Sequence, residues 1–97
     1  MARQIIWSVN AHRERMEILR YWEGRNGSLL YSTKLDGLFR KALQVISAHP
    51  LVGRPTTEAD VRVKGVGDYL LFYSYSDQAI HVLSVWHSKR SPVERPY

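Results

Sequence analysis

The chain has 97 residues, a formal net charge of +5 at pH 7 and no cysteine. This length predicts one domain, and the lack of cysteine excludes disulfides, thiolate metal sites and thiol nucleophiles. No apolar run approaches the ~20 residues of a membrane span, and the N-terminus does not resemble a secretory signal, so we expect a cytoplasmic protein. The positive charge favours acidic partners, namely nucleic acid, an acidic protein segment or anionic lipid. The alternative is that the excess charge only keeps the protein soluble.

The N-terminal part of the chain predicts a strand followed by a helix. Residues 3–9, RQIIWSV, are β-branched and aromatic, as is typical of a short strand. Residues 11–26 place apolar side chains at helical spacing. Either Ser8 or Asn10 is a suitable N-cap for this helix.

A second helix follows after a short break that contains glycine, so the two helices form a hairpin. Ser28 is the predicted cap of this helix, and Pro50 ends it. Its apolar face is wide, and we interpret that face as core rather than as a dimer surface. The face comprises Tyr31, Leu35, Leu38, Phe39, Ala42, Leu43, Val45 and Ile46.

The C-terminal half predicts a loop and then three strands. Residues 49–60 are rich in proline, glycine and threonine and indicate a loop. Residues 61–66 alternate between apolar and basic, and residues 69–75 form the next strand of a meander. Residues 79–86 are apolar on both faces, which favours a central strand. The order is β-α-α-β-β-β, an α+β fold in which a helical hairpin covers one face of a small antiparallel sheet.

The opposite face of the sheet has little chain left to cover it, apart from residues 87–97, which we interpret as a basic C-terminal tail of the single domain 1–97. Spare apolar surface on a small domain favours a binding partner. We expect this face to present Arg62, Lys64 and the terminal imidazole, His87.

Most catalytic arrangements have no support in the sequence. The histidines, at positions 12, 49, 81 and 87, form no tight ligand pair, so we predict no metal site and no cofactor. A phosphate-binding loop is excluded because residues 65–71, GVGDYLL, lack the Lys-Ser/Thr and the helix that should follow. Nothing marks a nucleophile elbow.

Acid–base chemistry on phosphate remains open. Arg62 and Lys64 lie roughly 6–7 Å apart along one strand face and can reach one phosphate or two adjacent ones. With Arg90 and His87 as the titrating group, they could supply the cations and the proton transfer that RNA cleavage by a 2′-hydroxyl requires. His81 has the same strand parity as His87 but lies about 20 Å away, so we interpret it as structural. These residues also have a purely structural interpretation. Arg62 and Lys64 would then form a solvated strand face, and His87 would be an imidazole at a strand end that is hydrogen-bonded to the backbone.

Three segments in this order resemble the RelE/ParE superfamily of toxins from bacterial type II toxin–antitoxin (plasmid stabilisation) systems. They are residues 45–55, VISAHPLVGRP, residues 61–75, VRVKGVGDYLLFYSY, and residues 82–92, VLSVWHSKRSP. The resemblance implies a small basic toxin that inhibits growth of its own cell. It also implies a co-expressed antitoxin that fills the sheet groove and forms a hetero-oligomer with the toxin. The residues we expect to contact a partner are Tyr73, Tyr75, Trp86, Lys89 and Arg90.

Two branches of this superfamily differ in their target. RelE-like members are mRNA interferases that cut mRNA on the ribosome, and ParE-like members inhibit DNA gyrase. The nuclease pattern has an arginine where this chain has Leu70, and the ending VWHSKRSP resembles the ParE type. We therefore favour a gyrase inhibitor, with a ribosome-dependent endoribonuclease as the alternative. A third hypothesis is a non-toxic module that only binds its antitoxin for autoregulation.

Overall fold

A helical hairpin packs on one face of a five-stranded sheet in the computed structural model of the chain. The structure describes residues 2–27, 29–90, 94 and 96–97. The elements in chain order are β1 (Gln4–Trp7), α1 (Val9–Asn26), α2 (Leu30–Ala48), β2 (Arg54–Pro55), β3 (Arg62–Val66), β4 (Tyr69–Tyr75) and β5 (Ala79–His87). Neither helix in this described part of the chain is long and apolar enough to cross a membrane. The predicted α+β class is confirmed.

The sheet has the strand order β1-β5-β4-β3-β2, with β5 in a central position as predicted. Two details differ from the sequence prediction. The loop 49–60 contains the short edge strand β2, and the sheet is mixed because β1 pairs in parallel with β5. Short turns impose antiparallel pairing on β3, β4 and β5, whereas both helices and three strands separate β1 from β5 in the chain, so no turn dictates the direction of that pair.

Specific residues begin and end the two helices. Ser8 is the N-cap of α1, and its hydroxyl accepts a hydrogen bond of 3.0 Å from the Ala11 backbone N–H. The helix ends at Gly27, whose φ of 61° is the left-handed conformation that glycine adopts without strain. Helix α2 has Leu29 as an N-cap without a side-chain bond and ends at Ala48, before Pro50. The predicted cap Ser28 lies outside the described residues.

The main core lies between the helical hairpin and the sheet. Helix α2 contributes four buried apolar side chains to it, Leu35, Phe39, Leu43 and Ile46, as predicted. The expectation that Tyr31, Leu38 and Val45 are core is wrong, because these side chains remain exposed. The apolar stripe on α2 is wider than the arc that a helix can press against a sheet.

A second, smaller apolar cluster lies on the reverse face of the sheet. It contains the buried side chains Val61, Val63, Phe72 and Trp86. The C-terminal Tyr97 covers part of this cluster, with its ring 5.4 Å from that of Phe72. The Arg90 guanidinium lies 4.1 Å above the Trp86 ring. The reverse face is therefore partly covered by the chain's own tail.

A β-bulge in β5 changes which face its later residues occupy. Phe72 pairs with Ser84 and Tyr73 pairs with Val82, so Leu83 is an extra residue in β5. As a result, Val82 and Val85 both pack in the core beneath the helices. A bulge of this kind reverses the alternation of faces for every residue beyond it.

Candidate functional site

His87 lies on the helical side of the sheet, not on the reverse face. It pairs with Tyr69, a residue of the main core, and the two rings are 5.1 Å apart in an edge-to-face arrangement. The expectation that His81 and His87 share a face is wrong, because the bulge lies between them. The Nδ1 atom of His87 accepts a hydrogen bond of 3.1 Å from the Lys89 backbone N–H. The neutral ring therefore carries its proton on Nε2 and presents a donor to a ligand.

Arg62 and Lys64 also lie on the helical side. They pair with Tyr73 and Leu71, both in the main core, whereas Val63 belongs to the reverse cluster. The prediction that this basic pair faces away from the helices is therefore wrong. Alternation along a strand separates two faces but does not say which face the helices cover. Arg62 also has a structural partner, since its guanidinium donates to the backbone oxygens of Leu51, at 3.3 Å, and Gly53, at 2.6 Å.

The residues predicted for RNA cleavage do not converge on one point. Arg62 pairs with Tyr73, and His87 pairs with Tyr69, at the opposite end of β4. Strand spacings place the Cα atoms of Arg62 and His87 about 16 Å apart, and those of Lys64 and His87 about 12 Å apart. His87 and Arg90 line a common cavity, whose lining does not include Arg62 or Lys64. Within the described residues, no group of three or more His, Asp or Glu side chains could hold a metal ion.

Tyr73 is buried and holds the loop after α2 against the sheet through two hydrogen bonds. Its ring is 0% exposed, its hydroxyl donates to the Pro50 backbone oxygen at 2.7 Å, and it accepts from the Gly53 N–H at 2.9 Å. Burial raises the pKa of this hydroxyl above its ordinary value, and the Gly53 hydrogen bond opposes that rise. The prediction of Tyr73 as a partner contact is wrong, because a partner cannot reach it in the folded chain.

The other predicted partner residues differ in accessibility. Trp86 is only 6% exposed, so its ring offers almost no contact surface, and its Nε1 has no hydrogen-bond acceptor among the described residues. Tyr75 is 40% exposed. Lys89 and Arg90 are exposed at the end of β5, although Arg90 stacks on Trp86. The accessible part of the predicted set therefore consists of Tyr75, Lys89 and Arg90.

A cavity of about 500 Å³ lies between α1 and the end of β4 and β5 that carries Tyr69 and His87. Trp22 of α1 and Tyr69 of β4 line it, and the Trp22 Nε1–H donates to the Tyr69 hydroxyl at 2.8 Å. Burial raises the pKa of the Tyr69 hydroxyl, and the bond from Trp22 opposes the rise. The ring of Tyr21 lies 5.1 Å from that of Trp22. We refer to this space as the α1 cavity.

Glu14 connects the α1 cavity to the bulge in β5. Its Oε1 accepts from the Ser84 hydroxyl at 2.9 Å, the Val85 backbone N–H at 3.1 Å and the Asn10 side-chain amide at 3.2 Å. This carboxylate therefore supplies an acceptor beside the bulge, where the regular ladder is interrupted. The sequence analysis missed Glu14, because a glutamate within a helix carries no signal that it reaches across to a strand.

Comparisons with known proteins agree with the resemblance seen in the sequence. Residues 5–92 match the family model described as ParE toxin of type II toxin–antitoxin system, parDE. The structure resembles the chromosomal ParDE system from P. aeruginosa, with a TM-score of 0.77, 14% identity and coverage of 91% of this chain and 98% of that chain. It also resembles a RelBE2 toxin–antitoxin complex from Mycobacterium tuberculosis, with a TM-score of 0.65, 18% identity and coverage of 90% and 99%. No curated protein sequence matches the chain.

Proposed function

Because this chain belongs to the ParE toxin family of type II toxin–antitoxin systems, we propose that it inhibits growth by binding DNA gyrase and that a co-expressed antitoxin neutralises it. The observation that supports gyrase over mRNA as the target is that Arg62 and Lys64 lie far from His87, so the residues predicted for RNA cleavage do not meet at one phosphate. Under this proposal the protein acts in the cytoplasm as the toxin of a plasmid stabilisation system.

Cleavage of RNA requires a base, an acid and cations within hydrogen-bond reach of one phosphate. Arg62 is engaged by the backbone oxygens of Leu51 and Gly53, about 16 Å from His87 at the Cα positions. His87 has its Nδ1 satisfied by the Lys89 backbone N–H, so the proton on Nε2 makes it a donor rather than a base. Leu70, where the resemblance leads one to expect a nuclease arginine, packs against the reverse cluster.

One observation favours the ribonuclease alternative. His87 and Arg90 line the same cavity, so an imidazole and a guanidinium lie near each other at an accessible edge. Such a pair could stabilise charge on a phosphate, and the carboxylates of Glu14 and Glu17, which line the same cavity, are candidate bases. The alternative therefore requires Glu14 or Glu17 to accept the proton, without Arg62 and Lys64, which do not line this cavity.

Two assays with the purified protein separate these functions. We expect the protein to inhibit DNA supercoiling by gyrase and to leave ribosome-bound mRNA intact. The matched variants are His87→Ala and Arg62→Ala, each tested for a correct fold by circular dichroism. Codon-positioned mRNA cuts that disappear in His87→Ala, together with unimpaired supercoiling, would overturn the proposal in favour of the mRNA interferase.

Growth after induction tests toxicity itself. We expect induction of this chain alone to stop growth and co-expression of the adjacent gene product to restore it. Normal growth after induction of well-folded protein would exclude both toxin mechanisms and support the non-toxic autoregulatory module.

A further inference from the structure

The α1 cavity contains a carboxylate that no cation neutralises within the described chain. All three hydrogen bonds to the Glu14 carboxylate reach Oε1 and come from neutral donors. Two other acidic residues of the hairpin have cationic partners, since Asp36 pairs with Arg15 at 2.7 Å and Glu17 pairs with Arg13 at 3.3 Å. Glu23 lies outside the cavity lining and accepts from the Ser32 hydroxyl at 3.5 Å. Among the described residues, Glu14 has no ion pair and its Oε2 has no hydrogen-bond donor.

Glu14 lines the cavity together with Val85, which is only 2% exposed and whose backbone N–H donates to the Glu14 carboxylate. The Glu14 side chain is partly buried, so a cation at Oε2 would be screened less by water than a cation at an exposed carboxylate. A ligand cation that reached Oε2 would form a charge-assisted hydrogen bond without disturbing the bonds that hold the bulge.

The side walls of the cavity suit a cation on an apolar stem. Three aromatic rings line it, those of Tyr21, Trp22 and Tyr69. The faces of tyrosine and tryptophan rings attract ammonium and guanidinium groups, most strongly at desolvated positions. The volume of about 500 Å³ lies within the range of small ligand pockets and accommodates an arginine or lysine side chain.

The overall charge limits how a cation can arrive there. The protein carries a net charge of +5, and Arg25 and Arg90 line the cavity as well. The long-range field therefore repels small free cations. A basic side chain therefore binds weakly by itself and more tightly when it belongs to a larger partner of opposite overall charge that binds at other points as well.

We propose that the α1 cavity is the subsite for one arginine or lysine side chain of the antitoxin. This inference rests on the proposed neutralisation by an antitoxin and names the chemistry of one of its anchors. The basic group binds Glu14 Oε2 and lies between the aromatic walls. Glu14 thus has two roles, because one of its oxygens holds the toxin's own strand and the other holds the partner.

The first test needs no antitoxin. N-acetyl-arginine amide is titrated into the labelled protein while NMR follows the Trp22 indole N–H and the Val85 amide. N-acetyl-citrulline amide, which has nearly the same shape but no charge, is the control ligand. We expect shifts with the arginine derivative only, and binding about 10- to 100-fold weaker in Glu14→Gln, the loss of one charge-assisted hydrogen bond.

Glu14→Gln keeps an oxygen acceptor for Val85 N–H, so it tests the charge rather than the fold. Glu17→Gln is the matched variant, because it removes a charge from the same helix and the same cavity lining but leaves Glu14 intact. Equal shifts with the citrulline derivative, stronger shifts with N-acetyl-glutamate amide, or unchanged binding in Glu14→Gln would each overturn the subsite.

The second test identifies the source of the basic group. Affinity for the antitoxin encoded by the adjacent gene is measured for the parent, Glu14→Gln and Glu17→Gln, against antitoxin variants in which each Lys or Arg is replaced by Gln. We expect one antitoxin position whose replacement costs much less affinity in Glu14→Gln than in the parent. Additive effects at every position would overturn the assignment to the antitoxin. Neither test involves gyrase, so failure of the gyrase proposal would be seen separately, in the supercoiling assay.

Discussion

The two buried tyrosines of β4 face the same core but have different surroundings. Tyr73 is enclosed, since its hydroxyl donates to one backbone oxygen and accepts from one backbone N–H of the loop after α2. Tyr69 has its hydroxyl bonded to the Trp22 side chain, beside a cavity of about 500 Å³. The same residue type, four positions apart on one strand, therefore closes one end of the sheet and lines an open site at the other.

The difference comes from what lies beyond each ring. At the closed end, backbone groups of the loop after α2 satisfy both the donor and the acceptor of the Tyr73 hydroxyl, and Arg62 donates to the same loop. At the open end, side chains from a helix and a strand meet across a gap, and one carboxylate oxygen of Glu14 stays unused among the described residues. Hydrogen bonds from Tyr73 to the backbone of the loop stabilise the closed end, whereas the bond between the Tyr69 and Trp22 side chains leaves a cavity beside it.

Gly53→Ala breaks the closed end and is expected to have the largest effect. A Cβ atom at this position would lie 2.5 Å from the Tyr73 hydroxyl oxygen and 2.8 Å from its Cε1 atom. Because Tyr73 is fully buried and cannot swing away, we expect a loss of about 1–3 kcal/mol in the free energy of unfolding, as for other overpacked sites. Urea denaturation measures it. An unchanged midpoint would show that the loop is not held against Tyr73.

Tyr73→Phe sharpens this test. Alone, it leaves Gly53 N–H and the Pro50 carbonyl without their partner, at a cost of about 1–3 kcal/mol. Combined with Gly53→Ala, it removes the closest clash, so the double variant should lose less stability than the sum of the single variants, by about 0.5–2 kcal/mol. Strict additivity would contradict a direct contact.

Glu14→Ala breaks the open end by releasing the bulge. The buried Val85 N–H and the Ser84 hydroxyl both lose their acceptor, and we expect a loss of about 1–3 kcal/mol in the free energy of unfolding. Glu14→Gln retains an oxygen at this position and should lose much less. Comparable losses in the two variants, measured by urea denaturation, would mean that the negative charge rather than the hydrogen bonds stabilises the strand.

Alkaline pH affects both ends through the tyrosines. Burial raises the pKa of Tyr69 and of Tyr73 above the ordinary value of 10.0. The unfolded chain therefore releases these protons first as the pH rises, so this contribution to stability is fully present below pH 10.0 and is lost above it. Tyr69→Phe and Tyr73→Phe should each make the decline in unfolding free energy above that pH less steep. If the unfolding free energy of both variants fell as steeply as that of the parent, the loss of stability at alkaline pH would come from other titrating groups.

Glu17→Gln is expected to have the smallest effect on stability. Glu17 and Arg13 form an exposed pair one helical turn apart, with both side chains 60% exposed. Such pairs contribute about 0.3–0.5 kcal/mol and are screened by salt. Urea denaturation measures the loss in the free energy of unfolding. A loss well beyond that range would show that the stability of α1 depends on the exposed Arg13–Glu17 pair.

The order of helices and strands could be predicted because each long element has a clear period or a cap such as Ser8. The assignment of side chains to faces was less predictable. Nothing in the composition of β5 marks Leu83 as an extra residue, so the sequence predicted the wrong face of the sheet for His87. The alternation in β3 separated Val63 from Lys64 but could not show which face meets the helices. Gly53 was visible as a turn signal, but its contact with Tyr73 depends on tertiary packing.

The parallel pairing of β1 with β5 has a consequence for the order in which the molecule can assemble. β1 contains the first residues of the sheet to be synthesised, yet its partners, from Ala79 to Val82, are among the last. During translation the N-terminal strand therefore has no neighbour in the sheet until β5 has been synthesised. Premature termination before β5 leaves a fragment in which β1 has no partner and the sheet cannot be completed.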